Sequence, residues 1–179
     1  MVHWARAVMD ARTDGLVSRL DVENMDALEI SGDHWARNFR WKSFETVHYP
    51  EIDICAAPAF DRLFDIIFAE QVFEHLLYPY RAARNVHRML RPGGYFLLTT
   101  PFLIKVHDTP NDCCRWTAQG LSYFLEECGF PRSRMTVDSW GNRACIQANF
   151  TSWVEFDPHL HALENEPDFP IVVWALARK

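Results

Sequence analysis

Apolar residues in this chain change their spacing several times, and each change marks an element. Trp4, Val8, Ala11 and Gly15 recur at helical spacing, with Leu16 and Leu20 extending the same side, which predicts a first helix with one buried stripe. Ala27-Leu28-Glu29-Ile30 is a short buried run closed by Ser31-Gly32-Asp33 and reads as a strand. Phe44 to His48 alternates and is β-rich, predicting a second strand that ends at Tyr49-Pro50. Ile52-Asp53-Ile54 reads as a third, very short one. Phe64 to Phe68 is the clearest strand in the sequence. After it, Ala83, Val86, His87 and Leu90 return to helical spacing, with Pro79 dividing the segment or sitting in a first helical turn, where proline is tolerated.

A Pro92-Gly93-Gly94 turn then feeds the strand Tyr95 to Thr100. Thr117 is a good N-cap for a helix carrying Leu121, Phe124, Leu125 and Cys128, stopped by Gly129. Met135 to Trp140 and Ile171 to Ala177 read as the last strands. Residues 141–169 between them, rich in aromatics and His, read as an inserted loop or short-helix segment. Alternating strands and helices predict an α/β layered fold. Residues 64–100 form a βαβ crossover, and in parallel sheets ligands settle beyond the strand ends. The expected organisation is a single domain over 1–179: an N-terminal helix region (1–25), a core (26–140), and the inserted segment with the last strand (141–179).

Composition narrows the function classes. A chain of 179 residues can bury a substantial core. Its formal charge of −6 disfavours a nucleic-acid surface, and Arg81, Arg84, Arg88 and Arg91 read as a solvated helix face. Five cysteines without CxxC spacing argue against a disulfide framework and against a structural zinc site. No run approaches the roughly 18 apolar residues needed to cross a bilayer. The expectation is therefore a cytoplasmic protein that touches neither membrane nor nucleic acid.

Three motifs, taken in order, carry a resemblance. They are Ala27-Leu28-Glu29-Ile30-Ser31-Gly32, then Phe64-Asp65 through Glu74-His75-Leu76, then Leu90-Arg91-Pro92-Gly93-Gly94. Together they resemble the class I S-adenosylmethionine-dependent methyltransferases, in the small-molecule branch that reads "FDxVxxxxVxEH" and "LRPGG" (the type 11-like branch). The resemblance covers roughly residues 26–130. It implies a Rossmann-like sandwich: a mostly parallel seven-stranded sheet with an antiparallel last strand. It also implies S-adenosylmethionine as cofactor, lying across the carboxyl ends of the first four strands. By position, Glu29, Ser31 and Gly32 would face the methionine half of that donor, Asp53 and Ile54 would lie near adenine, and Ala69, Glu70 and Gln71 would wall the methyl group. Two departures stand out. The glycine-rich loop is reduced to Gly32, where Ser31 and Asp33 could meet the donor's amino and carboxylate groups. The acidic ribose ligand is replaced by His48, followed by Tyr49, with Glu51 or Asp53 sharing the role. From Ile30 to Phe64 the chain is also short for two βα units, so the sandwich is expected to be trimmed there.

The segment His107 to Thr117 is similar to an "HxxPxDxxRxT" run of methyltransferases implicated in sugar or glycolipid modification. His107 is the leading general base, because an imidazole titrates near neutrality. Glu70 is the second catalytic candidate. Asp112 with Arg115 reads as a substrate clamp or as an ion pair holding the loop, and His75 as a packed, backbone-bonded histidine. Trp35, Tyr49, Trp116 and Trp140 could stack on a ligand or simply pack. His159 and His161 make no convincing metal pair, and no metal is expected. The expected reaction is O-methylation of a saccharide-like or secondary-metabolite acceptor. The competing readings are a noncatalytic donor-binding or protein-interaction module and, less favoured without a phosphate loop, a dinucleotide oxidoreductase. Aromatics in the tail are compatible with a homodimer.

Overall fold

Six strands form one sheet in this computed structural model, which describes residues 2–56, 60 and 62–179. They are β1 (Asp26–Ile30), β2 (Ser43–Val47), β3 (Phe64–Glu70), β4 (Leu90–Pro101), β5 (Met135–Trp140) and β6 (Val172–Arg178). Their order across the sheet is β2-β1-β3-β4-β6-β5. β2, β1, β3 and β4 are mutually parallel, and β6 runs antiparallel to both β4 and β5. This is the mostly parallel α/β sandwich with an antiparallel last strand that the sequence predicts.

The helices are α1 (Trp4–Val17), α2 (His34–Asn38), α3 (Pro79–Met89), α4 (Ala118–Glu127) and α5 (Arg143–Ala148). Strand side chains alternate between two cores, as a period of two requires. Leu28, Ile67, Ala69, Phe96 and Leu98 pack with Ala82, Ala83 and Val86 of α3 and with Phe124 and Leu125 of α4. Ala27, Ile66, Phe68 and Leu97 face the other way, toward Val17 and Trp35. Trp4, Met9, Trp140, Cys145 and Trp174 extend that second layer. α3 buries its alanines and exposes Arg81, Arg84 and Arg88, as read from the sequence. Arg91 differs: it lies past the helix, on β4, in an ion-pair cluster with Asp26 and Asp65. Thr117 caps α4, its Oγ1 accepting from the Gly120 N–H at 3.0 Å. Gly93 takes φ +81°, which explains a glycine in the turn within β4.

Two expectations need correction. Ile52-Asp53-Ile54 is a turn and not a strand. Its polar groups are consumed locally: Ile52 N–H donates to His48 O, Ala56 N–H to Asp53 O, and Cys55 N–H to Asp53 Oδ1. These residues join no ladder, and the sheet has six strands among the described residues where the resemblance implies seven. The first helix ends at Val17, before Leu20. The trimming between Ile30 and Phe64 is real: α2 is a five-residue helix, and no helix joins β2 to β3 among the described residues. Part of the β2–β3 connection, residues 57–59 and 61, lies outside the described residues.

The chain steps from β1 outward to β2, then returns across β1 to lay down β3 on its other side. That reversal is a topological switch point, where parallel sheets open a crevice beyond the carboxyl ends of their strands. Ile30, Val47 and Ala69 sit level in the register there.

Candidate functional site

The rim of the sheet at this end is shaped by two turns that few side chains favour. Ser31, just past β1, has φ 63°, and Gln71, just past β3, has φ 55°. Non-glycine residues in this region are uncommon and concentrate at functional sites. Gln71 is pinned from two directions, its N–H to Thr99 O at 3.1 Å and its Nε2 to Thr99 Oγ1 at 3.1 Å.

Glu29 runs beneath this rim. It is almost fully buried and accepts hydrogen bonds from the N–H groups of His34 at 3.2 Å and Trp35 at 3.0 Å, so it caps α2. Burial pushes its carboxyl pKa up, while those two amides pull it back. A Cβ at position 32 would collide with Glu29 Oε1, which explains the one glycine kept in this loop. Glu29 thus shapes the loop from below and does not line the crevice.

The crevice at the switch point has a volume of about 300 Å³. Ile52, Ile54, Val72 and Leu76 give it apolar walls, and Ser31, Tyr49, Asp53 and Gln71 place polar groups at its edges. The turn carrying Ile52 to Cys55 is fastened to α3 by Asn85, whose Nδ2 donates to Ile54 O at 3.0 Å and also to Ala56 O. An apolar slot with a few convergent polar groups suits a nucleoside-sized ligand. The residues present fit an adenosine with an amino-acid arm.

A second cavity of about 220 Å³ adjoins it, lined by Arg6, Gln71, Glu74, His75, His107 and Trp153, with His3 and Ile104 at its margin. Gln71 and His75 line both spaces, so they form the partition between them. Residues from four distant stretches meet here: the start of α1, the one-turn 3-10 helix Phe73–His75, the loop after β4, and the inserted segment. The loop after β4 is tied directly to the short helix, with Cys113 N–H donating to Glu74 O at 2.7 Å and Cys114 N–H at 3.2 Å. His75 Nδ1 lies 2.5 Å from Asn111 O. A carbonyl can only accept, so Nδ1 carries a proton, and in the neutral ring the lone pair is then on Nε2.

His107 is partly buried, its ring perpendicular to that of His75 with centroids 4.9 Å apart, and it faces Trp153 at 5.9 Å. Burial, with the neighbouring His75 next, lowers its pKa, favouring the neutral imidazole. Asp112 Oδ2 accepts the His107 backbone N–H at 2.9 Å, and the same carboxylate is gripped by Arg115, Nη2 to Oδ2 at 2.6 Å with a second contact from Nη1 to Oδ1. Asp112 and Arg115 therefore hold the loop that presents His107. Glu74 is fully enclosed, and neither carboxylate oxygen has a hydrogen-bond partner among the described residues. Burial lifts its pKa to about 7.

The remaining candidates fall away from the cavities. Glu70 pairs with Arg6 of α1 and is absent from both linings. Ala69 is buried in β3. His48 is exposed outside the crevice, and Asp33 faces solvent, paired with Arg37 at 2.6 Å. Trp35 stacks on Phe68 at 4.5 Å, Trp116 packs on Phe124, and Trp140 donates to Leu163 O. His161 stacks on Trp4 at 4.1 Å. The sequence reading passed over Arg6, Glu74, Asn85 and Trp153. Only Glu74 carried a signal, the Glu-His pair inside the quoted motif.

Residues 14–98 match the family described as "Methyltransferase domain". None of the curated proteins matches the sequence. Among solved structures, the chain is similar to an S-adenosylmethionine-dependent methyltransferase of Thermotoga maritima, at 14% identity and TM-score 0.58, covering 98% of both chains. An S-adenosylmethionine-dependent methyltransferase of Mesorhizobium loti shares 16% identity at TM-score 0.57, over 94% of this chain and 98% of that one. A methyltransferase of Haloferax volcanii, solved in complex with its methyltransferase activator, shares 14% identity at TM-score 0.59, over 98% and 93%. At such identities these likenesses speak to the fold. No helix among the described residues is long and apolar enough to cross a membrane. Residues 14–98, a little under half of the chain, carry that family match, and the sheet and switch-point crevice described above have the fold of these S-adenosylmethionine-dependent methyltransferases.

Proposed function

We propose that this chain transfers a methyl group from S-adenosylmethionine to an oxygen of a small polar acceptor, with a saccharide-like ring or a comparable secondary metabolite as the class. One observation carries the reading: two cavities, one suited to a nucleoside and one polar and aromatic, share a partition made of Gln71 and His75. When bound, the donor supplies a methyl carbon already activated by its sulfonium. The chain's own work is then alignment, exclusion of water and removal of a proton.

Ile52, Ile54, Val72 and Leu76 would hold the adenosine, with Asp53 at its polar edge and Ser31 and Gln71 toward the amino-acid arm. Trp153 and His3 cover the acceptor cavity and limit water there. His107 is the group placed to take the acceptor's proton, since its imidazole faces that cavity and the Asp112–Arg115 pair fixes its backbone. Glu70 serves this arrangement from outside by fixing Arg6, which lines the acceptor side.

Calorimetry with S-adenosylhomocysteine tests the donor crevice, with micromolar binding expected and its absence sinking the reading. Donor-dependent methyl incorporation into a fractionated small-molecule extract, followed by mass spectrometry, identifies the acceptor. A product methylated on nitrogen or carbon would remove the oxygen assignment.

A further inference from the structure

A carboxylate enclosed as Glu74 is, with neither oxygen hydrogen-bonded among the described residues, is costly to keep, because burying a charge without a hydrogen bond or counter-charge is strongly unfavourable. The charges of Arg115 and Arg6 relieve it only in part, since neither guanidinium bonds its carboxylate. Arg6 is engaged by Glu70 and Arg115 by Asp112. What faces Glu74 instead is a pair of imidazoles. His75 Nε2 lies 3.7 Å from Glu74 Oε1, and one ligand atom from each of Glu74, His75 and His107 falls within 4.8 Å of the others.

We propose that Glu74, His75 and His107 form a site for a divalent transition-metal ion of the zinc class, open on one side to the acceptor cavity. Two nitrogens and one carboxylate are the donor set that such ions accept, whereas magnesium and calcium call for oxygen ligands. Three protein ligands leave a coordination position free for a water or an acceptor oxygen. Around a tetrahedral ion with bonds of roughly 2.0–2.1 Å, ligand atoms stand about 3.3 Å apart. The Glu74–His75 pair needs little movement to reach that, and no pair need close by more than about 1.5 Å.

Outer contacts favour the same use. His75 donates Nδ1–H to Asn111 O, which fixes its ring direction and selects, for the neutral ring, the tautomer with Nε2 free to ligate, the arrangement metal-binding histidines commonly have. The loop bearing His107 is bound to the backbone of Glu74 itself through Cys113 and Cys114, so all three ligands are carried on one tied unit. The inference builds on the methyl-transfer reading only for the ion's use: an acceptor hydroxyl coordinated there loses its proton to solvent more readily, and His107 acts as a ligand instead of a base.

The test uses the full chain without an affinity tag, stripped with chelator and titrated with Co²⁺. One equivalent should bind, with visible d–d absorption of a low-coordinate nitrogen–oxygen site, and Zn²⁺ should displace it and co-elute at one ion per chain. Glu74→Gln and His107→Ala should each weaken Co²⁺ binding by about 100-fold or more, while His159→Ala, at an exposed surface position, should leave it unchanged. Retained S-adenosylhomocysteine binding in each variant shows that it is folded. Wild-type protein without d–d bands, or a Glu74→Gln variant that binds Co²⁺ as wild type does, overturns the site. The two readings fail separately. A bound ion with no methyl transfer to any acceptor removes the enzyme reading and leaves the ion site. Full turnover in chelator without cobalt bands removes the ion site and leaves His107 as base.

Discussion

The two ends of the sheet each gather buried carboxylates and treat them in opposite ways. At the amino ends of β1 and β3, Asp26 is bonded by Ser43 Oγ at 2.7 Å, Arg91 Nη2 at 2.9 Å and Lys42 Nζ at 3.4 Å. Asp65 takes Arg91 Nη1 at 2.5 Å and the Asp26 N–H at 2.8 Å. Every charge there has a partner. At the carboxyl ends, Glu74 is fully buried and its carboxylate has no hydrogen-bond partner among the described residues, and two strand-end residues adopt left-handed backbone. The pKa directions follow: Asp26 sits at about 2, chiefly through Ser43, and Glu74 rises to about 7 through burial. The satisfied end is built for stability. The unsatisfied end departs from that rule where the cavities are, as expected of a site whose groups await a ligand.

The largest effect that separates the ends is on turnover. His107→Ala should lower methyl transfer by about 100- to 10,000-fold, the range for removing a positioned proton acceptor, with melting temperature and S-adenosylhomocysteine affinity close to wild type. A variant that keeps full activity would break the assignment of this end to chemistry. Arg91→Ala should show the converse pattern. It leaves two adjacent carboxylates without their shared cation and should cost about 2–3 kcal/mol, read as a lower urea midpoint with unchanged slope. Activity per folded molecule should stay the same.

These contrasts were only partly legible in the sequence. β3 and the Pro-Gly-Gly turn could be read because a buried run and positive-φ glycine leave local marks. Ile52 to Ile54 could not, since three residues alternate as readily in a turn as in a strand, and only the hydrogen-bond partners decide. The crevice followed from strand order, but side-chain direction did not. Glu29, Ala69, Glu70 and His48 occupy motif positions, yet the backbone at Ser31 and Gln71 turns the linings toward other residues. Arg6 lies 64 residues from the Glu70 it pairs with, and no periodicity reports such a contact. Glu74 was in plain view beside His75. Helical spacing could not reveal that one 3-10 turn, Phe73–His75, would drive its carboxylate inward.

Acid should dissect the satisfied end with a smaller effect. Asp26 is depressed in the folded chain relative to an ordinary carboxylate near 3.8, so its contribution is complete above that pH and is lost as pH falls through about 2. The shift corresponds to roughly 2 kcal/mol at most, and the partial exposure of Arg91 reduces it. Wild type and Asp26→Asn should therefore converge in stability between pH 4 and pH 2. Parallel curves across that interval would mean that the cluster is not held by charge.

The smallest effect has the opposite sign and probes the comparison most directly. Glu74→Gln replaces an enclosed, unpartnered carboxylate by a neutral group of nearly the same shape. At pH 8 in chelator, where the carboxyl is otherwise forced to ionise, the variant should be more stable than wild type by about 1 kcal/mol, since a buried amide without partners also costs something. At the other end of the sheet, Asp65→Asn should be destabilising under the same conditions, because it weakens a bond to Arg91 that is already made. Differential scanning fluorimetry of the two variants side by side reads both signs at once. If both lower the melting temperature, Glu74 has a stabilising partner after all, and the distinction between a structural end and a ligand-awaiting end of the sheet disappears.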